Sequence, residues 1–211
     1  AFADAGLPEN IFQILYLDHE QTEKIIENSN IHYVAFTGSV KGGEQIQKAA
    51  IKQFKTLGLE LGGKDPMIVL KDANINRSVE SALFGGLSNA GQTCISTEEV
   101  FIEKPIYEKF VEKISGRIKD ISSGREDSDL GSMIMPQNTE KVNRHIQEAE
   151  SSCRVIKGHA DEGEMFIAPT LILDPSSDLS IVNEETFGPI LSLRPFYNEE
   201  DLLKIVNQQT N

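Results

Sequence analysis

Ile31-His32-Tyr33-Val34-Ala35-Phe36 is a β-branched and aromatic run that stops at Thr37-Gly38-Ser39. Lys41 to Gln53 follows, with apolar or small residues at Ile46, Ala49, Ala50 and Ile51. The first stretch predicts a strand and the second a helix. Leu57-Gly58-Leu59-Glu60-Leu61 is short and apolar, and Gly62-Gly63 breaks it. Strand, glycine turn, helix and apolar run in this order predict an α/β fold. The alternation continues downstream: a strand at Pro66–Leu70, then a helix from Asn74 to about Asn89 with Asn74 or Asp72 available as its cap. Val100-Phe101-Ile102 resumes strand character, and Pro105 suits the first turn of a helix reaching about Ile121. A polar amphipathic helix over Pro136–Ser151, strands at Phe166–Leu173 and Ile190–Leu193, and a helix over Glu199–Gln208 complete the pattern. No internal repeat or low-complexity block interrupts it.

Composition limits what the chain does. Its 211 residues suffice for one large domain or two small ones with a sizeable core. A net charge of −13, from 33 acidic and 20 basic side chains, argues against nucleic acid and anionic membrane as partners. No apolar run is long enough for a transmembrane helix. Two cysteines and no visible leader make a reducing cytoplasm the expected compartment. The opening, Ala1 to Gly6, reads as the tail of a helix already under way, as in a piece of a longer protein.

Four stretches carry candidate chemistry. Cys94 follows the glycine-containing turn Ala90-Gly91-Gln92-Thr93. An exposed thiol there is a nucleophile if something lowers its pKa or takes its proton; otherwise it is a small buried hydrophobe. Glu60 stands between two leucines, either facing solvent or partly desolvated as a general base. Thr37-Gly38-Ser39-Val40-Lys41-Gly42-Gly43 joins a strand to a helix, where N–H groups and the helix dipole suit a phosphate, although it is neither a Walker loop nor GxGxxG. Glu184-Glu185-Thr186-Phe187-Gly188-Pro189 is a shaped acidic loop, or surface charge beside a core phenylalanine. Cys153 reads as structural. His19, His32, His145 and His159 fall in no motif and show no metal-ligand spacing, so no metal is expected.

Taken together, Phe36-Thr37-Gly38-Ser39, Leu59-Glu60-Leu61-Gly62-Gly63-Lys64, Gly91-Gln92-Thr93-Cys94 and Glu184-Glu185-Thr186-Phe187-Gly188-Pro189 resemble the aldehyde dehydrogenase superfamily. Ala5-Gly6-Leu7-Pro8 and Ala168-Pro169-Thr170 add to the likeness, which runs across nearly all of the chain. The resemblance implies NAD(P)-dependent oxidation of an aldehyde to an acid. Cys94 would attack the carbonyl to give a thiohemiacetal and then a thioester, its backbone N–H helping to hold the oxyanion. Glu60 would activate the hydrolytic water. Gly38, Ser39 and Gly43 would lie at the pyrophosphate of NAD or NADP. Leu61 would reach the nicotinamide end through its backbone. Glu185 would bind the nicotinamide ribose and Phe187 would pack beside it. Residues 1–58 would end a Rossmann-like cofactor domain. Residues 59–211 would form most of a catalytic domain with a mostly parallel sheet, incomplete at its C-terminus.

Family members are usually more than twice as long and form dimers or tetramers. The resemblance therefore implies truncation at both ends. An oxyanion-hole asparagine, an adenosine-ribose lysine and the segment that shapes the tunnel and supports assembly would lie outside these 211 residues. Weak or absent activity is expected of the chain alone, and a sheet lacking its first strands would expose an apolar edge. One local departure is Glu98-Glu99-Val100, where the family often carries arginine; the reversed charge puts a structural ion pair there in question. Two other readings stand: a truncated relative serving as a binding or structural module, and a cysteine acyltransferase or esterase working without nicotinamide.

Overall fold

The computed structural model describes Phe2 and residues 4–208. The expected helix tail at Ala1–Gly6 falls partly outside the described residues. The chain divides into two compact units, one ending at Leu61 and the other beginning at Gly62. The division falls three residues beyond the expected boundary at 58/59, because the last strand of the first unit runs through Glu60 and Leu61.

In the first unit, α1 (His19–Glu27) starts at a capping box: Asp18 accepts from the Gln21 N–H while the Gln21 side chain accepts from the Asp18 N–H. β1 (Tyr33–Gly38), α2 (Val40–Ile51) and β2 (Thr56–Leu61) form a strand–helix–strand crossover whose two strands pair in parallel. Ile26, Ala49 and Ala50 are buried against Val34, Ile46 and Leu57. This small core leaves much apolar surface exposed, including Phe12, Ile14, Leu15, Tyr16 and Phe54.

The second unit is built on a five-stranded sheet. β3 (Asp65–Val69) is followed by α3 (Ile75–Leu87), which Asn74 caps by accepting from the Arg77 N–H at 3.1 Å. Next come β4 (Thr97–Glu103) and α4 (Lys104–Ile118), with Pro105 in the first helical turn. A two-residue strand β5 (Ser122–Ser123) precedes α5 (Pro136–Glu150), β6 (Arg154–Lys157) and the short β7 (His159–Ala160), which pairs with β5. β8 (Thr170–Leu173), α6 (Ser180–Asn183), β9 (Ile190–Phe196) and α7 (Glu199–Gln208) complete it. The strand order is β3-β4-β9-β8-β6, parallel except where β6 runs antiparallel to β8.

Alternate residues serve the two sheet faces. Val100, Ile102, Leu171, Leu191 and Leu193 pack with Leu83, Phe110, Ile114 and Ile118 of α3 and α4. Ile172 and Ile190 pack with Val142 and Ile146 of α5 and with Ile181. Phe101 turns from its neighbours toward Phe196 and Leu202.

Two sequence expectations are corrected, and some elements had none. The strand expected from Phe166 begins only at Thr170, since Pro169 has no N–H to give a ladder. α1 and β6 had no prediction: the first is too polar, and Arg154-Val155-Ile156-Lys157 offers only two apolar residues. The ion pairing questioned at Glu98-Glu99 is present, with both acids buried. Glu98 pairs with Lys64 at 2.6 Å and Glu99 with Arg194 at 3.4 Å.

Candidate active site

Cys94 is exposed, which sets aside the buried-hydrophobe reading. Its place is set by an unusual turn. After α3, Asn89, Ala90 and Gly91 have φ of 54°, 55° and 69°, three consecutive left-handed residues. That region is costly for a side-chain-bearing residue and persists only where surroundings enforce it. Gln92, 7% exposed, is the enforcing residue. Its amide nitrogen donates to the carbonyls of Asn89 at 3.1 Å and Ser132 at 3.3 Å, and its amide oxygen accepts from the Ile134 N–H at 2.8 Å. Asn89 Nδ2 donates back to the Gln92 carbonyl at 3.0 Å. Ala90 is buried, so the strained backbone is also packed.

Gly91 joins this turn to the acidic loop. A Cβ at residue 91 would lie 2.1 Å from the Gly188 carbonyl oxygen. A Cβ at Gly188 would in turn lie 2.4 Å from Val142 Cγ2 on α5. The structure thus brings the Cys94 turn and the Glu184–Pro189 loop together within the second unit. Glu60 and Leu61 belong to the first unit.

Within the acidic loop, Glu185 is half-buried, and burial pushes its carboxyl above the usual range; the nearby Glu98 charge adds to this while Lys141, the Gly63 N–H and Lys64 oppose it. Its carboxylate lies against Gly62, where a Cβ would come within 1.9 Å of Oε1. Phe187 is half-buried in the left-handed region, φ 54°.

The sequence reading missed three residues that hold this loop. Lys64 Nζ donates to Glu98 Oε2, to the Glu184 carbonyl at 2.9 Å and to Thr186 Oγ1 at 3.4 Å. The Glu98 carboxylate accepts from the N–H groups of Thr186 at 2.8 Å and Phe187 at 2.9 Å. His145, fully buried, has Nδ1 3.2 Å from Thr186 Oγ1 and Nε2 3.3 Å from Glu184 Oε2. These partners assign a neutral ring: Thr186 accepts from Lys64 and donates to Nδ1, and Nε2–H donates to Glu184. The available signal for His145 was its place on the buried stripe Thr139, Val142, Ile146 and Ala149.

Burial holds the His145 pKa below its usual value, with Lys64 and Arg144 acting in the same direction and Glu184 opposing. The hydrogen bond from Arg144 holds Glu184 below the usual carboxylate range, helped by His145. Both shifts have the same linkage sign. A depressed native pKa gives stability that is complete above the unfolded-state value and lost as pH falls through the native one. Thermal midpoints are expected to drop as pH falls below about 6.5, the ordinary histidine value. A His145→Gln variant, scanned alongside, should lose stability less steeply over that interval; an identical slope would show that His145 does not contribute.

In the first unit, Glu60 is exposed, so the partly desolvated alternative gives way to a solvent-facing carboxylate, as strand alternation permits. Ser39 caps α2, accepting from the Gly42 N–H at 3.1 Å. The preceding N–H groups of Val40 and Lys41, in the first turn, have no intrahelical acceptor. Gly38 and Gly43 keep this corner tight: a Cβ would lie 2.6 Å from the Phe36 ring at residue 38 and 2.7 Å from Leu61 Cδ2 at residue 43. A glycine-bounded helix start with free N–H groups fits a dinucleotide pyrophosphate. Glu185 in the second unit fits ribose hydroxyls as a carboxylate acceptor.

Among the described residues, no group of three or more His, Cys, Asp or Glu side chains is placed to hold a metal, and no helix is long and apolar enough to cross a membrane. The model of the aldehyde dehydrogenase family matches residues 1–211. A lactaldehyde dehydrogenase of Methanococcus aeolicus is 37% identical over 210 residues, covering 97% of this chain and 44% of the relative. The crystal structure of an aldehyde dehydrogenase from Brucella melitensis biovar abortus 2308 superposes with TM-score 0.90 at 30% identity, covering 98% of this chain and 44% of that one. A betaine aldehyde dehydrogenase of Staphylococcus aureus, solved in complex with NAD+, superposes with TM-score 0.81 at 28% identity over 88% of this chain and 39% of its own. The chain thus spans less than half the length of these relatives, and it belongs to the aldehyde dehydrogenase family.

Proposed function

We propose that these residues take part in NAD(P)-dependent oxidation of an aldehyde to a carboxylic acid, through a cysteine thiohemiacetal and thioester. The observation that supports this most is the exposed Cys94 on an enforced left-handed turn whose Gly91 packs against the loop bearing Glu185. The Cys94 thiol gives its proton to water, its thiolate adds to the aldehyde carbonyl as the C=O π bond opens, and the Cys94 N–H stabilises the oxygen as it gains charge. The nicotinamide, when bound, supplies the hydride acceptor. Glu60 takes a proton from water, and the resulting hydroxide releases the acyl group from sulfur as the acid. Val40 and Lys41 N–H groups hold the pyrophosphate beside Gly38, Ser39 and Gly43. Leu61 contacts the nicotinamide end through its backbone. Glu185 orients the ribose, with Phe187 packed beside it. The substrate is a small-molecule aldehyde, and a full-length family member would be expected to assemble as a homo-oligomer.

Because the chain spans 44% of its relative's length, weak or absent turnover is expected of the 211 residues alone. The test is NAD(P)H formation across an aldehyde panel together with intact-mass detection of acylation by an activated ester. The wild type should be acylated at Cys94 and reduce dinucleotide only when an aldehyde is present. Cys94→Ala should reduce both signals to background. Acid release from the ester with no dinucleotide reduction by any aldehyde would favour the esterase reading instead. No acylation of the folded wild type would remove Cys94 as the nucleophile.

A further inference from the structure

Two successive backbone N–H groups of the acidic loop, those of Thr186 and Phe187, converge on one buried acid. Glu98, 4% exposed, accepts from Thr186 N–H, Phe187 N–H and Lys64 Nζ, and Lys64 also holds the Glu184 carbonyl. Three donors engage both carboxylate oxygens and fix their orientation. The segment it clamps includes a phenylalanine in the left-handed region, a conformation that persists only where its surroundings enforce it. Glu185 sits between the clamped residues, with its carboxylate near Gly62.

We propose that Glu98 is a positioning residue for cofactor binding: its buried carboxylate, set by Lys64, holds the Thr186–Phe187 backbone so that Glu185 and Phe187 are presented to the nicotinamide ribose. This role rests on the dinucleotide reading above. It gives a use to a buried acid that stands just before the apolar run Val100, Phe101 and Ile102 of β4. An uncharged residue there leaves two N–H groups without a strong acceptor and Lys64 without its counter-ion.

The test compares the wild type with Glu98→Gln and Glu98→Asp. One measurement is NADH and NADPH binding, read from nicotinamide fluorescence. The other is amide hydrogen exchange, resolved at Thr186 and Phe187 against the strands β4 and β9. Glu98→Gln is expected to weaken dinucleotide binding at least tenfold and to speed exchange at Thr186 and Phe187 while β4 and β9 stay protected. Glu98→Asp, which restores the charge on a shorter stem, should recover part of both. Unchanged binding by Glu98→Gln overturns the positioning role, as does loss of protection spread evenly over β4 and β9. A wild-type chain that binds neither dinucleotide overturns the cofactor reading itself and the positioning role with it. The two failures are told apart by the wild-type titration.

Discussion

Gly91→Ala is expected to disrupt the nucleophile turn and cost the second unit several kcal/mol of stability. Two independent penalties fall on one methyl group. Residue 91 has φ +69°, and a left-handed conformation costs an alanine about 1–2 kcal/mol. The added Cβ would also sit 2.1 Å from the Gly188 oxygen and 2.5 Å from its carbonyl carbon, and these are backbone atoms that cannot rotate away. Relief requires moving either the Cys94 turn or the Glu184–Pro189 loop, and Gln92 and Glu98 hold both in place. Urea denaturation should show the loss, and alkylation of Cys94 by iodoacetamide should change rate because the turn no longer presents the thiol as before. Gly116→Ala is the control. Its Cβ meets nothing within 4 Å on an exposed position of α4, so a gain of about 0.5–1 kcal/mol is expected from helix propensity alone. A Gly91→Ala protein as stable as wild type would mean that the close approach of residues 91 and 188 is dispensable.

Local chemistry explains which parts of this architecture were legible. Asn74 was readable as a cap because a short polar side chain before an apolar-periodic run has a single good use there. β4 and β9 were readable from the runs Val100–Ile102 and Ile190-Leu191, which put apolar side chains on both faces, as a covered parallel sheet requires. Cys94 was singled out by its glycine turn, and its exposure fits that reading. The clamp was not legible. Lys64, Glu98, His145 and Thr186 are polar residues of kinds that normally face water, and they meet only because the sheet order sets β4 beside β9 and lays α5 against the loop that precedes β9. Sequence spacing carries no trace of contacts 34 and 88 residues apart. The charge at Glu98-Glu99 was read against a family arginine, which put an ion pair there in question. Lys64 and Arg194 supply the missing cations from other strands or strand ends, which no local pattern announces. Glu60 shows the opposite limit. Strand alternation allowed it to face solvent, and its exposed place on β2 agrees, so its role as a base rests on the resemblance rather than on burial.

Lys64→Met should be among the most damaging single substitutions in the second unit. It keeps the length and apolar stem of a fully buried side chain but strands the buried Glu98 charge without its counter-ion. Breaking a buried pair from one side typically costs about 3–5 kcal/mol, because the remaining charge is uncompensated. The Glu184 carbonyl loses a donor as well. Combining Lys64→Met with Glu98→Gln should recover a large part of the loss. The carboxamide is neutral and its oxygen still accepts from Thr186 or Phe187. Combining it with Glu98→Leu should not, even though apolar replacement of a simple buried pair is often harmless. Here the acid also satisfies two backbone N–H groups, and leaving each unpaired costs about 1–3 kcal/mol. The order of urea midpoints is therefore wild type, then Lys64→Met with Glu98→Gln, then Lys64→Met alone and the leucine combination. If the leucine combination instead matched the wild type, Glu98 would be an ordinary ion-pair partner, and the loop would not depend on its carboxylate for its course.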